Sequence, residues 1–160
     1  MRSEAEAERV IGCYADTVRR ICFMHLKKTE DVEDAFQDVF LKYILHEREF
    51  ESRAHEKAWL IRVTINVCKD MLKNPFRKRI CSIEDVNIEP FTLQNNESEL
   101  LDCILAMPSK YKDVIYLFYY EGYSAVEIAA IMRRKENTIY TWLDRARKRL
   151  KGQLESDLNG

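Results

Sequence analysis

Residues 123–150 read YSAVEIAAIMRRKENTIYTWLDRARKRL. Ser124 stands three residues before Glu127, the spacing of a capping box that opens a helix. Val126, Ile128, Ala129 and Ile131 then mark a short helix. The basic turn Arg133-Arg134-Lys135 leads to a final helix with Ile139, Leu143, Ala146 and Leu150 on its core side. Short helix, tight turn and longer basic helix make a helix-turn-helix pattern. Ala129 and Ala130 are small enough to let the two helices cross closely. The second helix must carry a polar N-terminal half that reaches base edges in the major groove. That half offers Glu136, Asn137, Thr138, Tyr140, Thr141 and Arg145. Arg147, Lys148 and Arg149 suit phosphate contacts, which set affinity rather than sequence. An ordinary surface helix with a solvated basic face leaves a similar mark.

Upstream of this pattern, Leu100, Leu101, Ile104 and Leu105 predict a helix that Met107-Pro108-Ser109 ends. The next helix carries Val114, Ile115, Leu117, Phe118 and Tyr119, and Gly122 suits a left-handed cap after it. The first part of the chain is helical as well. Val10, Ile11, Tyr14, Val18, Ile21 and Cys22 recur at helical spacing. Thr29 fits the N-cap of a second helix whose apolar face is Val32, Ala35, Phe36, Val39, Phe40, Tyr43 and Ile44. The charged stretch HEREFESRAHEK reads as a loop. A third helix bears Trp59, Leu60, Ile61, Val63, Ile65, Val67, Cys68 and Leu72 nearly all round, which predicts a central place in the core. Trp59 itself reads as core. Between the blocks, NPFRKRICSIEDVNIEPFTLQNNESE shows no period and is long for a loop inside one domain. The expected fold class is therefore all-α: two small helical domains joined by a flexible linker, over residues 1–74, 75–96 and 97–160.

Composition agrees with helices. The chain has 160 residues with only 4 Gly and 3 Pro, which argues against a turn-rich β protein. No apolar run approaches the roughly 20 residues of a membrane span. The start, MRSEAEAERV, is neither a secretory signal nor a transit peptide, so a cytoplasmic protein is expected. The five cysteines, Cys13, Cys22, Cys68, Cys81 and Cys103, form no CxxC and read as small buried apolar residues. His25, His46 and His55 share no metal-ligand spacing with them, and no cofactor is expected. A net charge of −1 hides strong segregation. Residues 30–51 are acidic; residues 133–151 are basic; Lys69, Lys73, Arg77, Lys78 and Arg79 form a second basic knot. The basic faces call for an anionic partner, the acidic face for something else.

Taken together, the two blocks resemble a known family. MPSKYKDVIYLFYYEGYSAVEIAAIMRRKENTIYTWLDRARKRLKGQL is similar to region four of sigma-70-family factors. EDVEDAFQDVFLKYI and EKAWLIRVTINVCKDMLKNPFRKR are similar to region two of the small, two-domain extracytoplasmic-function (ECF) type. Order, spacing and linker match, over nearly the whole chain. The resemblance implies a promoter-specificity subunit that binds core RNA polymerase, directs transcription initiation and is not an enzyme. It implies polymerase contacts, on the β′ clamp helices, at Asp34, Gln37, Asp38, Phe40 and Leu41, with the β flap as a further polymerase contact. An exposed carboxylate-rich helix can meet a basic partner; Asp34 and Asp38 are also compatible with a merely solvated face. The −10 element falls to Asn66, Lys69, Asp70 and Lys73, and to the loop around Phe50 to Glu56, which in the family captures a flipped base. Phe50 fits either a wall of that pocket or a core anchor. The −35 element falls to Arg134, Lys135, Asn137, Thr138, Tyr140, Thr141, Arg145 and Lys148.

The chain departs from the common family pattern at Asn137, where glycine is usual, and at Tyr140 and Trp142, where basic residues are usual. Those changes leave the −35 sequence open, and Trp142 fits packing against a neighbouring helix. Glu84, Asp85 and Glu89 make the linker acidic, which suits either nucleic-acid mimicry in a basic channel or a solvated tether. Family members are often held by an anti-sigma factor, so one is expected as a partner, with no small-molecule substrate. The short stretch after the recognition helix leads one to expect no appended regulatory domain. Other readings remain: a helix-turn-helix regulator acting without core polymerase, or a pure interaction module. No nucleophile–base pair, P-loop or metal set supports an enzyme.

Overall fold

The computed structural model describes residues 1–74 and 95–159, with side chains at 1–74 and 100–154. The chain divides into two compact units, Met1–Glu89 and Pro90–Gly160. Arg77, Lys78, Arg79, Cys81, Glu84, Asp85 and Glu89 lie outside the described residues. The fold is all-α, and no strand occurs among the described residues.

The first unit is three helices, α1 (Glu4–His25), α2 (Thr29–Leu45) and α3 (Arg53–Lys73), each packed on the other two. Ser3 caps α1 by accepting from the Glu6 N–H at 3.2 Å. Ser52 caps α3 by accepting from the His55 N–H at 3.1 Å. The capped start of α3 corrects the expected loop: only residues 46–52 are loop, and RAHEK is helix. Ser52 offered that signal, masked by the charges around it. Thr29 is the first helical residue and not the cap; Lys28 holds the cap position without a side-chain cap bond. Val10, Val18, Ile21, Cys22, Val32, Ala35, Val39, Tyr43, Leu60 and Cys68 are buried at its centre. Ile11, expected inside, is exposed. Among the described cysteines, Cys22, Cys68 and Cys103 are buried as expected, whereas Cys13 is exposed on α1.

The second unit is α4 (Asn95–Leu105), α5 (Ser109–Ile115), a π-helical turn (Tyr116–Tyr120), α6 (Ala125–Met132) and α7 (Glu136–Asn159). α4, α5 and α6 all pack on α7. The buried seam of α7 is Ile139, Leu143 and Ala146. Their spacing of four and three is one helical stripe. The capping box at α6 forms as expected: Ser124 Oγ accepts from the Glu127 N–H at 3.2 Å and Glu127 Oε1 from the Ser124 N–H at 3.0 Å. The π-helical turn was not foreseen. Gly122, two residues after it, has a left-handed φ of +77°, and the Tyr123 N–H donates back to the Leu117 carbonyl at 2.9 Å. Tyr116 stacks on Tyr120 at 5.1 Å, and its hydroxyl lies 2.6 Å from Glu121 Oε1.

Two glycines predict opposite outcomes for one change. Gly122→Ala puts a Cβ on a left-handed residue and is expected to cost the second unit about 1 kcal/mol. Gly12→Ala lies inside α1 with open space around the new Cβ, and is expected to stabilise the first unit by roughly 0.5–1 kcal/mol. Urea unfolding followed by Trp142 or Trp59 fluorescence, each in a background lacking the other tryptophan, reads the two units separately.

Candidate nucleic-acid interface

The turn between α6 and α7 is made by Arg133, Arg134 and Lys135. Arg133 is left-handed, with φ 53°, an uncommon state for a residue with a Cβ. The Arg134 N–H reaches back to the Ala129 carbonyl at 3.0 Å, as in a Schellman closure. Lys135 then supplies the first carbonyl of α7, accepting from the Ile139 N–H at 3.2 Å. Ala129 is buried, while Ala130 is exposed. The turn leaves a groove of about 590 Å³ with Val126, Ala130, Arg134, Lys135 and Asn137 in its walls.

Arg134, Lys135, Asn137, Tyr140, Thr141, Arg145 and Lys148 are exposed, and Thr138 is half-buried. Opposite the buried seam, α7 thus presents Asn137, Thr141, Arg145 and Lys148 together. Thr141 Oγ1 donates to the Asn137 carbonyl at 2.9 Å, which orients its hydroxyl. Lys148 is paired with Asp144 at 3.1 Å, both well exposed. An exposed pair of this kind is worth little, so Lys148 can exchange it for a phosphate.

Arg147 and Arg149 do not simply share that phosphate-facing role. Arg147 Nε donates to the Tyr119 hydroxyl at 2.6 Å, and its guanidinium lies 5.3 Å from the Phe118 ring and 5.6 Å from the Tyr119 ring. Arg149 lies over Tyr111 at 5.2 Å. Both cations clamp α7 to the aromatic residues of α5 and the π-helical turn. Trp142 is half-buried, with Lys110 at 5.7 Å and Arg134 at 6.0 Å from its ring. Its ring thus meets cations from α5 and from the turn before α7.

In the first unit, Asn66, Asp70 and Lys73 are exposed and Lys69 is half-buried on α3. Their spacing of four and three puts them on one face. The opposite face holds Leu60, Ile61, Ile65 and Cys68 in the core. Phe50 is half-buried and packs against the core from its rim. It stacks on His46 at 5.3 Å and lies 5.5 Å from Trp59 and 6.1 Å from Tyr43. It also lines an open cavity of about 330 Å³ with Arg2, Arg9, Ser52 and Glu56. On α2, Asp34, Gln37 and Leu41 are exposed and Asp38 is half-buried, 3.4 Å from Lys42. Phe40 is 4% exposed, its ring 4.8 Å from that of Phe36, so its side chain supports the helix from within.

Sequence reasoning missed Glu56. It stood in a charged stretch, yet it is only 5% exposed. It accepts from Arg9 at 3.0 Å and from the Tyr43 hydroxyl at 3.1 Å. That bond raises the Arg9 pKa, burial opposing it. The Tyr43 pKa is raised by burial first and by the same carboxylate second. The His46 pKa is lowered by burial, then by the charges of Arg2, Arg48 and Arg62 and by His55. Among the described residues, no group of three His, Cys, Asp or Glu stands close enough to hold a metal ion. None of their helices is long and apolar enough to cross a membrane.

In the second unit, a short helix, a tight turn and a longer helix with an exposed basic face define a helix-turn-helix protein of the DNA-binding class. Comparison with known proteins narrows the class. Residues 10–77 match the family "Sigma-70 region 2", and residues 97–150 match "Sigma-70, region 4". The chain belongs to the sigma-70 family and is a factor of the ECF type. It is 23% identical to the ECF RNA polymerase sigma factor SigW of Bacillus subtilis, over 91% of this chain and 87% of that one. It is 27% identical to SigV of the same organism, over 86% and 84%. The fold is similar to the sigma factor RpoE, solved with the anti-sigma factor NepR from Bartonella quintana, with TM-score 0.76 and 23% identity over 94% and 97% of the two chains. It is also similar to CnrH, solved with the cytosolic domain of CnrY, with TM-score 0.66 and 18% identity over 97% and 91%.

Lys148→Ala is expected to leave unfolding unchanged and to reduce the salt slope of promoter binding by about one, whereas Arg147→Ala is expected to destabilise the second unit by about 1 kcal/mol; urea titration and salt-dependent binding separate them. A lowered His46 pKa means that the unfolded chain binds the proton more tightly. Its contribution to stability is therefore full above the ordinary value of 6.5 and falls as pH drops below it, to the folded-state pKa. His46→Gln is expected to flatten that part of the pH–stability curve of the first unit, followed through Trp59.

Proposed function

We propose that this protein is a promoter-specificity subunit that binds core RNA polymerase and directs transcription initiation through −10 and −35 recognition. The observation that carries the reading is the presence of both family regions, in order, in one chain. A helix-turn-helix regulator would need only the second unit, usually as a dimer on a two-fold site. In this reading Asn137, Thr141 and Arg145 meet base edges of the −35 element. Arg134, Lys135 and Lys148 hold phosphates, and Thr138 and Tyr140 border them. On α3, Asn66, Lys69, Asp70 and Lys73 engage the −10 element, while Phe50 flanks a base extruded as the duplex opens. Extrusion costs a few kcal/mol, and a pre-formed pocket offsets it.

Polymerase binding falls to Asp34, Gln37, Asp38 and Leu41 on α2, for the clamp helices, with the second unit meeting the flap. An exposed carboxylate row increases encounter rate with a basic surface and suppresses wrong partners. Residues 1–74 and 97–160 then act as separate binding modules and residues 75–96 as their tether. Two linked contacts raise overall affinity without tighter individual ones. The protein performs no covalent chemistry, takes no small-molecule substrate or cofactor and works in the cytoplasm. The RpoE relative was solved with an anti-sigma factor, and a regulator of that kind is the proposed third partner.

Runoff transcription with bacterial core polymerase on genomic fragments tests the reading. New start sites that depend on the protein are expected; discrete footprints without polymerase and no new transcripts would instead favour the stand-alone regulator. Asp34→Ala with Asp38→Ala is expected to weaken assembly with core polymerase about tenfold at low salt, with promoter preference unchanged. Fluorescence titration with core polymerase reads this, and unchanged affinity would leave the acidic face merely solvated.

A further inference from the structure

Arg2 grips the loop between α2 and α3 from the far end of the chain. Its backbone N–H donates to the Ile44 carbonyl at 3.0 Å. Its Nε donates to the Tyr43 carbonyl at 3.2 Å and its Nη2 to the Arg48 carbonyl at 2.6 Å. Its Nη1 pairs with Glu6 at 3.2 Å. The guanidinium lies 4.6 Å from the Tyr43 ring centroid and 5.0 Å from that of Phe50. All three guanidinium nitrogens are engaged, and the side chain is 12% exposed. Arg2 therefore has little capacity left to bind DNA itself.

The loop it grips, residues 46–52, has no regular backbone bonding of its own. Such a segment is mobile unless a scaffold holds it. Arg2 joins the residues before the loop, Tyr43 and Ile44, to Arg48 and Phe50 within it. On its other sides the Phe50 ring meets His46 and Trp59, and the edge of His55 at 5.4 Å. His55 Nδ1 accepts from the Glu51 N–H at 3.2 Å, which fixes the far end. A planar cation with donors in several directions suits this task, and a lysine ammonium does not.

We infer that Arg2 is a positioning residue for promoter opening, holding loop 46–52 so that Phe50 stands ready beside the extruded base. The inference rests on the proposed role of that loop at the −10 element. Pre-ordering removes the entropy that the loop would otherwise lose when DNA arrives. Arg2 acts through the loop and touches no base.

The test uses full-length holoenzyme carrying Arg2→Ala, Arg2→Lys or Phe50→Ala. Permanganate footprinting reads opening on promoters with each −10 position substituted or made abasic in turn. Arg2→Ala is expected to slow opening about tenfold and to erase base preference at one position only. Assembly with core polymerase and −35 binding stay unchanged. On the template abasic at that position, wild type and Arg2→Ala open equally. Arg2→Lys follows Arg2→Ala, and it serves alone should the alanine variant not fold. An equal loss at every −10 position, or no loss, would overturn the inference. Should Phe50→Ala alter base preference while the Arg2 variants do not, only the role of Arg2 fails. Should Phe50→Ala leave all preferences intact, the loop reads no base and the underlying reading fails.

Discussion

A carboxylate buried between three helices sets the geometry of the first unit. Glu56 belongs to α3, Arg9 to α1 and Tyr43 to α2, and the one carboxylate accepts from both partners. Burying a charge costs several kcal/mol, and only good hydrogen bonding offsets it. The arrangement is therefore satisfied only when all three helices stand in this register. Apolar contact among Val10, Val39 and Leu60 drives association but is tolerant of direction. The directional bonds at Glu56 select one arrangement and leave α3 with its polar face outward.

From that constraint the loop geometry follows. Tyr43 is held at its hydroxyl by Glu56 and at its carbonyl by Arg2. Phe50 stacks on the same ring. The loop that carries Phe50 is thus tied to the most buried part of the unit. A short irregular segment is thus held by a rigid frame.

The second unit solves a different problem. A basic helix must keep one face free for an anionic partner while its other faces bind the fold. α7 buries an apolar stripe and seats Arg147 and Arg149 on aromatic rings at its edges. Cation–π seating lets those arginines contribute packing without full desolvation. Arg145, Arg147, Lys148 and Arg149 are all exposed, and what sets Arg147 and Arg149 apart is the rings they rest on.

The helical class, the two blocks and the helix-turn-helix were legible in the sequence because they rest on local rules. Apolar spacing, the Ser124–Glu127 box and Gly122 act within one or two turns of chain. The exposed positions on α7 and α3 were legible for the same reason: once a core stripe is named, the opposite face is its complement. Contacts between distant residues were not legible. Phe40 falls inside because α2 turns that edge toward the core. Glu56 looked like one more charge in a charged stretch until Arg9 and Tyr43 closed on it from separations of 47 and 13 residues. Arg2 meets the carbonyl of Arg48 across 46 residues. Charge and hydropathy patterns name the candidates for a surface, whereas only the packed chain decides which of them are bound inward, because partnering depends on distances that sequence spacing does not encode.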